Sequence, residues 1–182
     1  MNNDGRGGHP SIREMRETDG GPVFEIYRQG IATGHATFEK DVPADWATWF
    51  ASRLPPGRLV AESDGRIVGW SALSSVSARA VYAGVGEVSV YVADDAHGLG
   101  VGAALLGGLI EASETAGMWT LQASIFPENQ ASVRLHEKLG FRHMGTRERI
   151  AWMSYGPMIN QWRDTVILER RSTNTGIKPP RV

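Results

Sequence analysis

The residues best suited to chemistry gather around one glycine-rich stretch, His97-Gly98-Leu99-Gly100-Val101-Gly102. It follows the β-branched, alternating run Glu87 to Val92 and precedes an apolar stripe at helical spacing, which predicts a strand, a tight loop and a helix start. Unpaired backbone N–H groups and the positive end of a helix dipole converge at such a place, and that suits a phosphate. Glycine serves the loop by admitting positive φ and by allowing close backbone approach. Two kinds of cofactor site use this device. Gly98, Gly100 and Ala103 fit the dinucleotide form G-x-G-x-x-A, with Glu128 beyond the next strand. His97, Gly100 and Gly102 fill the form Q/R-x-x-G-x-G/A of a coenzyme A pyrophosphate loop. A helix start with glycines for tight packing accounts for the same residues.

Other candidates surround the loop. Glu87 heads the strand, Arg79 and Tyr82 lie in the connection before it, and His136 falls in a later helical stretch. Each has a plain reading, as a solvated strand carboxylate, loop residues and a packed or exposed helix histidine. Cysteine is absent, which removes disulfide scaffolds, thiolate zinc sites and cysteine nucleophiles, and makes the reducing cytoplasm the simplest compartment. The 19 Lys and Arg against 20 Asp and Glu leave a net charge of -1, which argues against a generally basic nucleic-acid footprint. Val101 to Ile110, the longest small and apolar run, falls far short of a bilayer span, so no membrane helix is expected.

The elements that must position these groups can be read along the chain. At 182 residues with 41% hydrophobic side chains, one compact domain can bury its own core. Ser11 to Met15 predicts a strand, and Val23, Ile26, Tyr27 and Ile31 a helix. A second helix is expected from Pro43, at an N1-like position, to Leu54, where Pro55-Pro56-Gly57 stops it. Arg58 to Ser63 and Arg66 to Ser74 form a hairpin around Asp64-Gly65. After the central strand and glycine loop, Leu105, Leu106, Leu109, Ile110 and Ser113 share one helical face that stops at Gly117. Thr120 to Ile125 reads as a strand, Pro127 to Leu139 as a helix closed by Gly140, and Arg142 to Ile150 and Trp162 to Arg170 as two last strands. The order β-α-α-β-β-β-α-β-α-β-β predicts an α+β fold with a mixed sheet, not a regularly alternating doubly wound one. Residues 1–10 and 172–182 read as polar tails flanking a domain over 11–171.

Downstream of the loop come Pro127-Glu128-Asn129, Ser132 and Leu135-His136-Glu137-Lys138-Leu139-Gly140-Phe141. Together with the glycine loop this closely resembles the GNAT N-acetyltransferase superfamily. Thr37-Phe38-Glu39, Arg79 with Tyr82, Glu87 leading into Ser89-Val90-Tyr91-Val92, and Trp162-Arg163-Asp164 resemble its phosphinothricin acetyltransferase branch. The resemblance runs from about Ser11 to Arg171 and rests on several motifs in the right order. It implies a GNAT-like, mostly antiparallel sheet, acetyl-CoA as co-substrate, no metal, a free amino group as acceptor and a homodimer.

The resemblance also assigns roles. An ammonium must lose a proton before it can attack, and Glu87 resembles the family's general base, acting directly or through a water. Val90, Tyr91 and Val92 resemble the segment whose backbone binds the pantetheine arm and polarises the thioester, with a β-bulge expected to splay this strand from its neighbour. His97 to Gly102 would hold the pyrophosphate, although His97 stands where Arg or Gln is commoner. Asn129 and Ser132 resemble pantetheine contacts, Asn129 also suiting a helix N-cap. His136 stands where the branch places an acid for the departing thiolate. Phe38, Arg79 and Tyr82 would line the acceptor pocket, Arg79 gripping an anionic group. Ser77 replaces a lysine found in phosphinothricin-detoxifying relatives, and Trp152 to Gln161 is longer than the family's loop there. Trp46, Trp49, Trp152 and Trp162 are candidates for a dimer contact. Competing hypotheses are a non-catalytic acetyl-CoA-binding regulatory module and a dinucleotide-binding oxidoreductase. No nucleic-acid or membrane partner is expected.

Overall fold

The computed structural model describes residues 10–178. The expected tail 1–10 lies outside the described residues except for Pro10, and 172–182 is described as far as Lys178. The elements are β1 (Ser11–Glu14), α1 (Gly20–Ala32), α2 (Trp46–Ser52), β2 (Leu54–Ser63), β3 (Arg66–Ser75), β4 (Val85–Val92), α3 (Val101–Thr115), β5 (Thr120–Ile125), α4 (Gln130–Lys138), β6 (Arg142–Met153) and β7 (Gln161–Arg171). They build one open seven-stranded sheet in the order β1-β2-β3-β4-β5-β7-β6. All neighbours are antiparallel except β4 and β5, so this is a mixed, mostly antiparallel α+β fold.

Successive residues of β3 reveal the two layers. Gly69 faces Leu105 and Val101 of α3, whereas Trp70 packs edge-on against Tyr27 of α1. Neighbouring strand residues point to opposite faces, so α1 and α3 cover opposite sides of the sheet. The face of α3 carrying Leu105, Leu106, Leu109, Ile110 and Ser113 is buried, as its spacing predicts. The turn Asp64-Gly65 has φ of 50° and 76°, which is why that pair specifies a tight hairpin.

Several local expectations need correction. α2 starts at Trp46, not beside Pro43, because the Asp45 carboxylate accepts from the Thr48 N–H at 2.8 Å and caps the helix there. Pro55 and Pro56 stand inside β2, where pairing with β3 breaks between Leu54 and Leu59, so a missing N–H costs no ladder bond. α4 starts at Gln130, not Pro127, capped by Asn129. The bulge expected in β4 is absent: its register with β3 runs unbroken from Gly69↔Val92 to Ser75↔Gly86. Divergence from β5 instead opens the sheet, since their pairing stops at Glu87↔Gln122. Trp49 is core and Trp46 packs over Gly20 and Phe24, while Trp152 and Trp162 stay exposed. Among the described residues no helix is long and apolar enough to cross a membrane.

Candidate active site

The parting of β4 and β5 leaves a cleft with a volume near 250 Å³. Its walls are β4 from Glu87 to Tyr91, β5 from Ala123 to Ile125, the loop after α1 (His35 to Phe38), Phe126, and the side chains of Asn129, Ser132, His136 and Thr165. The Ala93 N–H donates to Val68 on β3 at 2.9 Å. Strand alternation then turns the backbone groups of Val90 and Val92 the other way, toward the side β5 has left. No strand satisfies these groups; the Val92 carbonyl is taken by the His97 ring, and the Val90 groups stay open beside the cleft.

The glycine loop follows the far end of β4, outside the cleft lining, and opens α3. Gly98 and Gly100 have φ of 80° and 81°, and nothing in the protein lies within 4 Å of a Cβ built on either. Backbone handedness therefore requires glycine at these two positions, and protein crowding does not. Gly102 differs, since an added Cβ would meet Leu135 at 3.2 Å, where α3 and α4 come together. Leu99 of this loop is exposed and Val101 buried. The His97 ring donates from Nε2 to the Val92 carbonyl at 3.1 Å, which ties the loop to the end of β4.

His136 is buried on α4 and bonded through Nδ1 to the Ser132 carbonyl at 2.8 Å. A carbonyl only accepts, so the proton sits on Nδ1 and Nε2 carries the lone pair. That Nε2 is buried without a partner, as is the Thr165 hydroxyl, and both residues line the cleft. Two orphaned polar atoms in one cleft mark a place for a polar ligand. Burial pushes the His136 pKa down, only partly offset by the Ser132 bond. An unfolded histidine titrates near 6.5, so below that pH the unfolded chain takes up a proton that the folded one refuses. Stability should therefore fall as pH drops below about 6.5, with a slope of at most about 1.4 kcal/mol per pH unit from this group. Thermal unfolding between pH 7.5 and 5 should show a shallower slope in His136→Gln. Equal slopes would remove this assignment.

The acceptor side is built on the face that carries α1. Tyr91 stacks on Trp70 with centroids 4.5 Å apart and donates its hydroxyl to the Ala36 carbonyl at 3.3 Å. Phe38 lines the cleft and meets Phe126 edge-on at 4.7 Å. Asn129 caps α4 through Oδ1, accepting from the Ser132 N–H at 3.1 Å, while its Nδ2 donates to the His35 carbonyl at 3.3 Å. Glu87 stands at the fork, exposed and lining the cleft. Arg79 and Tyr82, also exposed, flank a short turn between β3 and β4 and do not reach the lining.

Sequence reasoning missed the fastening of this wall. Arg163 on β7 is buried, with its guanidinium 4.0 Å from the Phe126 ring centre. It donates to the Gly34 carbonyl at 2.8 Å, to His35 Nδ1 at 3.1 Å and to the Glu128 carboxylate at 3.2 Å. Tyr155 adds a bond to the Thr37 carbonyl at 2.7 Å. An arginine within a strand reads from sequence as solvent-facing, which hid the role. Glu128, the residue beyond the next strand in the dinucleotide reading, is engaged by Arg163. The antiparallel neighbours of β4 and β5 also depart from a doubly wound sheet.

This fold, with its divergent central strands and glycine loop, defines an acetyltransferase architecture. Residues 21–141 match the model of the acetyltransferase (GNAT) family, and the chain belongs to it. It is 34% identical over 165 residues to a phosphinothricin N-acetyltransferase of Alcaligenes faecalis, covering 88% of this chain and 81% of that one. An L-methionine sulfoximine/L-methionine sulfone acetyltransferase of Pseudomonas paraeruginosa is 28% identical, with 87% of this chain and 92% of that one covered. The crystal structure of a GNAT superfamily phosphinothricin acetyltransferase from Sinorhizobium meliloti in complex with AcCoA superposes with a TM-score of 0.85 at 27% identity, covering 96% of this chain and 94% of that one. The protein is thus an N-acetyltransferase of the phosphinothricin acetyltransferase-like branch.

Proposed function

We propose that the protein transfers acetyl from acetyl-CoA to the amino group of a small amino acid or analogue, of the phosphinothricin or methionine sulfoximine/sulfone type, directly within a ternary complex. The observation that carries this reading is the fork of β4 and β5, with Glu87 on its acceptor face and a β4 edge beyond Glu87 that β5 does not pair. Bound there, acetyl-CoA supplies an activated acyl carbon and a thiolate leaving group. The loop from His97 to Gly102 holds the pyrophosphate at the N-terminus of α3, and Val90, Tyr91 and Val92 hold the pantetheine with Asn129 and Ser132.

Glu87 takes the ammonium proton, directly or through one water, and frees the nitrogen lone pair. Backbone N–H groups of the open β4 edge face the negative charge that gathers on the thioester oxygen as nitrogen bonds to carbon and sulfur departs. His136 serves the sulfur. Its Nε2 is bare in the neutral ring, so it must collect a proton before delivering one, and its burial makes the charged ring a ready donor. Phe38 walls the acceptor, with Arg79 and Tyr82 at the rim. A homodimer fits the exposed pair Trp152 and Trp162, which meet edge-on at 5.3 Å beside exposed Ile150 and Ile159. Sedimentation as a monomer at micromolar concentration would remove that part.

The test is thiol release from acetyl-CoA with a panel of amino acids that includes phosphinothricin and methionine sulfone. Release that depends on the amino acid is expected. Coenzyme A binding without release for any acceptor would favour a regulatory module, and NADH binding without coenzyme A binding an oxidoreductase.

A further inference from the structure

Opposite Glu87 in the sheet stands Ser74, its register partner on β3. Paired residues share a face, so Trp70, Ala72 and Ser74 lie alongside Tyr91, Ser89 and Glu87 on the acceptor side. The Ser74 hydroxyl accepts a hydrogen bond from Nη1 of Arg53, the residue that ends α2. The Arg53 guanidinium lies 5.0 Å from the centre of the Trp49 ring, and its buried Nε has no partner. Three other buried or partly buried arginines are neutralised, Arg163 by Glu128, Arg13 by Asp19 and Glu62, and Arg170 by Glu114, whereas Arg58, over the Phe50 ring, has no ion pair among the described residues either. Arg53 forms no ion pair among the described residues. Burial lowers its pKa, and the nearby tyrosines Tyr27 and Tyr91 and the Glu39 carboxylate offset this in part. A half-buried cation without a counter-ion is a costly arrangement unless an anion completes it.

Geometry names the anion. Arg53 and Ser74, like Arg79, lie outside the cleft lining, but neighbouring strands lie about 4.8 Å apart, so a group held over Ser74 is one strand from the Glu87 side chain. In an α-amino acid the carboxylate and the nitrogen share one carbon, and a carboxylate on Arg53 brings the nitrogen toward Glu87. We propose that Arg53 binds the α-carboxylate of the acceptor and thereby selects α-amino acids over amines that lack this group. The inference rests on the amino-acid N-acetyltransferase reading above.

The experiment compares methionine sulfone with 3-(methylsulfonyl)propan-1-amine, the same molecule without its carboxylate, in the wild type, Arg53→Gln, Arg53→Lys and Arg79→Gln. The wild type should prefer the amino acid. Arg53→Gln should raise KM for it by about 10- to 100-fold, the loss expected for a charge-assisted hydrogen bond. The kcat/KM ratio of acid to amine should collapse, and Arg53→Lys should restore part of it. Equal losses on both substrates would mean a merely structural role, and a collapse in Arg79→Gln alone would move the carboxylate to Arg79. Either result overturns the proposal. Wild-type turnover of the amine but not the acid overturns it while leaving the transferase standing. Turnover of neither, nor of any amino acid in the panel, would defeat the underlying reading and the proposal with it.

Discussion

Glu87→Gln should lower turnover by about 10²- to 10⁴-fold, the usual contribution of a positioned general base. Coenzyme A affinity should stay within about twofold, because the pyrophosphate loop and the open strand edge are untouched. The expectation follows from position. Glu87 is the last β4 residue paired with β5, so its side chain stands where the cleft begins, on the face shared with Phe38 and Tyr91. Its carboxylate has no hydrogen-bond or ion-pair partner among the described side chains, so the amide should shift stability by no more than about 0.5 kcal/mol. Single-turnover rates and calorimetric titration with coenzyme A check the two halves. A kcat/KM within threefold of wild type would remove the base assignment.

Arg163→Met should produce the largest loss of stability, about 2–3 kcal/mol. Methionine fills part of the volume but leaves the Gly34 carbonyl and His35 Nδ1 without their donor. The stranded Glu128 side chain is 46% exposed and can hydrate, which keeps the cost at the lower end for a broken buried pair. Glu128→Gln, which keeps an acceptor for the guanidinium, should cost less. Urea unfolding measures both. Acceptor KM should also rise in Arg163→Met, because the loop carrying His35 to Phe38 loses its fastening. An unchanged unfolding midpoint would mean that Tyr155 and Asn129 hold this loop alone.

The order of elements was legible because each strong signal was local. Asp64-Gly65 needs no tertiary context to turn, and the stripe from Leu105 to Ser113 needs only a face to bury. Boundaries went astray where two signals competed: Asp45 outbid Pro43 for the start of α2, and Pro55-Pro56 joined a strand at a register break instead of ending a helix. The glycine loop, Glu87, Asn129 and His136 could be proposed from sequence because motif and position agree, and Glu87, Asn129 and His136 share one cleft. Arg53 and Arg163 escaped because a charged residue at a helix end or within a strand carries no local mark of burial. What gives each its place is a contact far along the chain, Ser74 for one and Gly34 for the other.

The fork between β4 and β5 has a consequence for how the protein can change. Its edge is main chain, and among point substitutions only proline removes a backbone N–H. Under the proposed reading, mutations at Val90, which lines the cleft, would reshape it while keeping the main-chain groups of the strand edge. Tolerance for longer acyl donors is therefore open to selection, or to an engineer, through a side chain whose change leaves the strand's peptide groups in place.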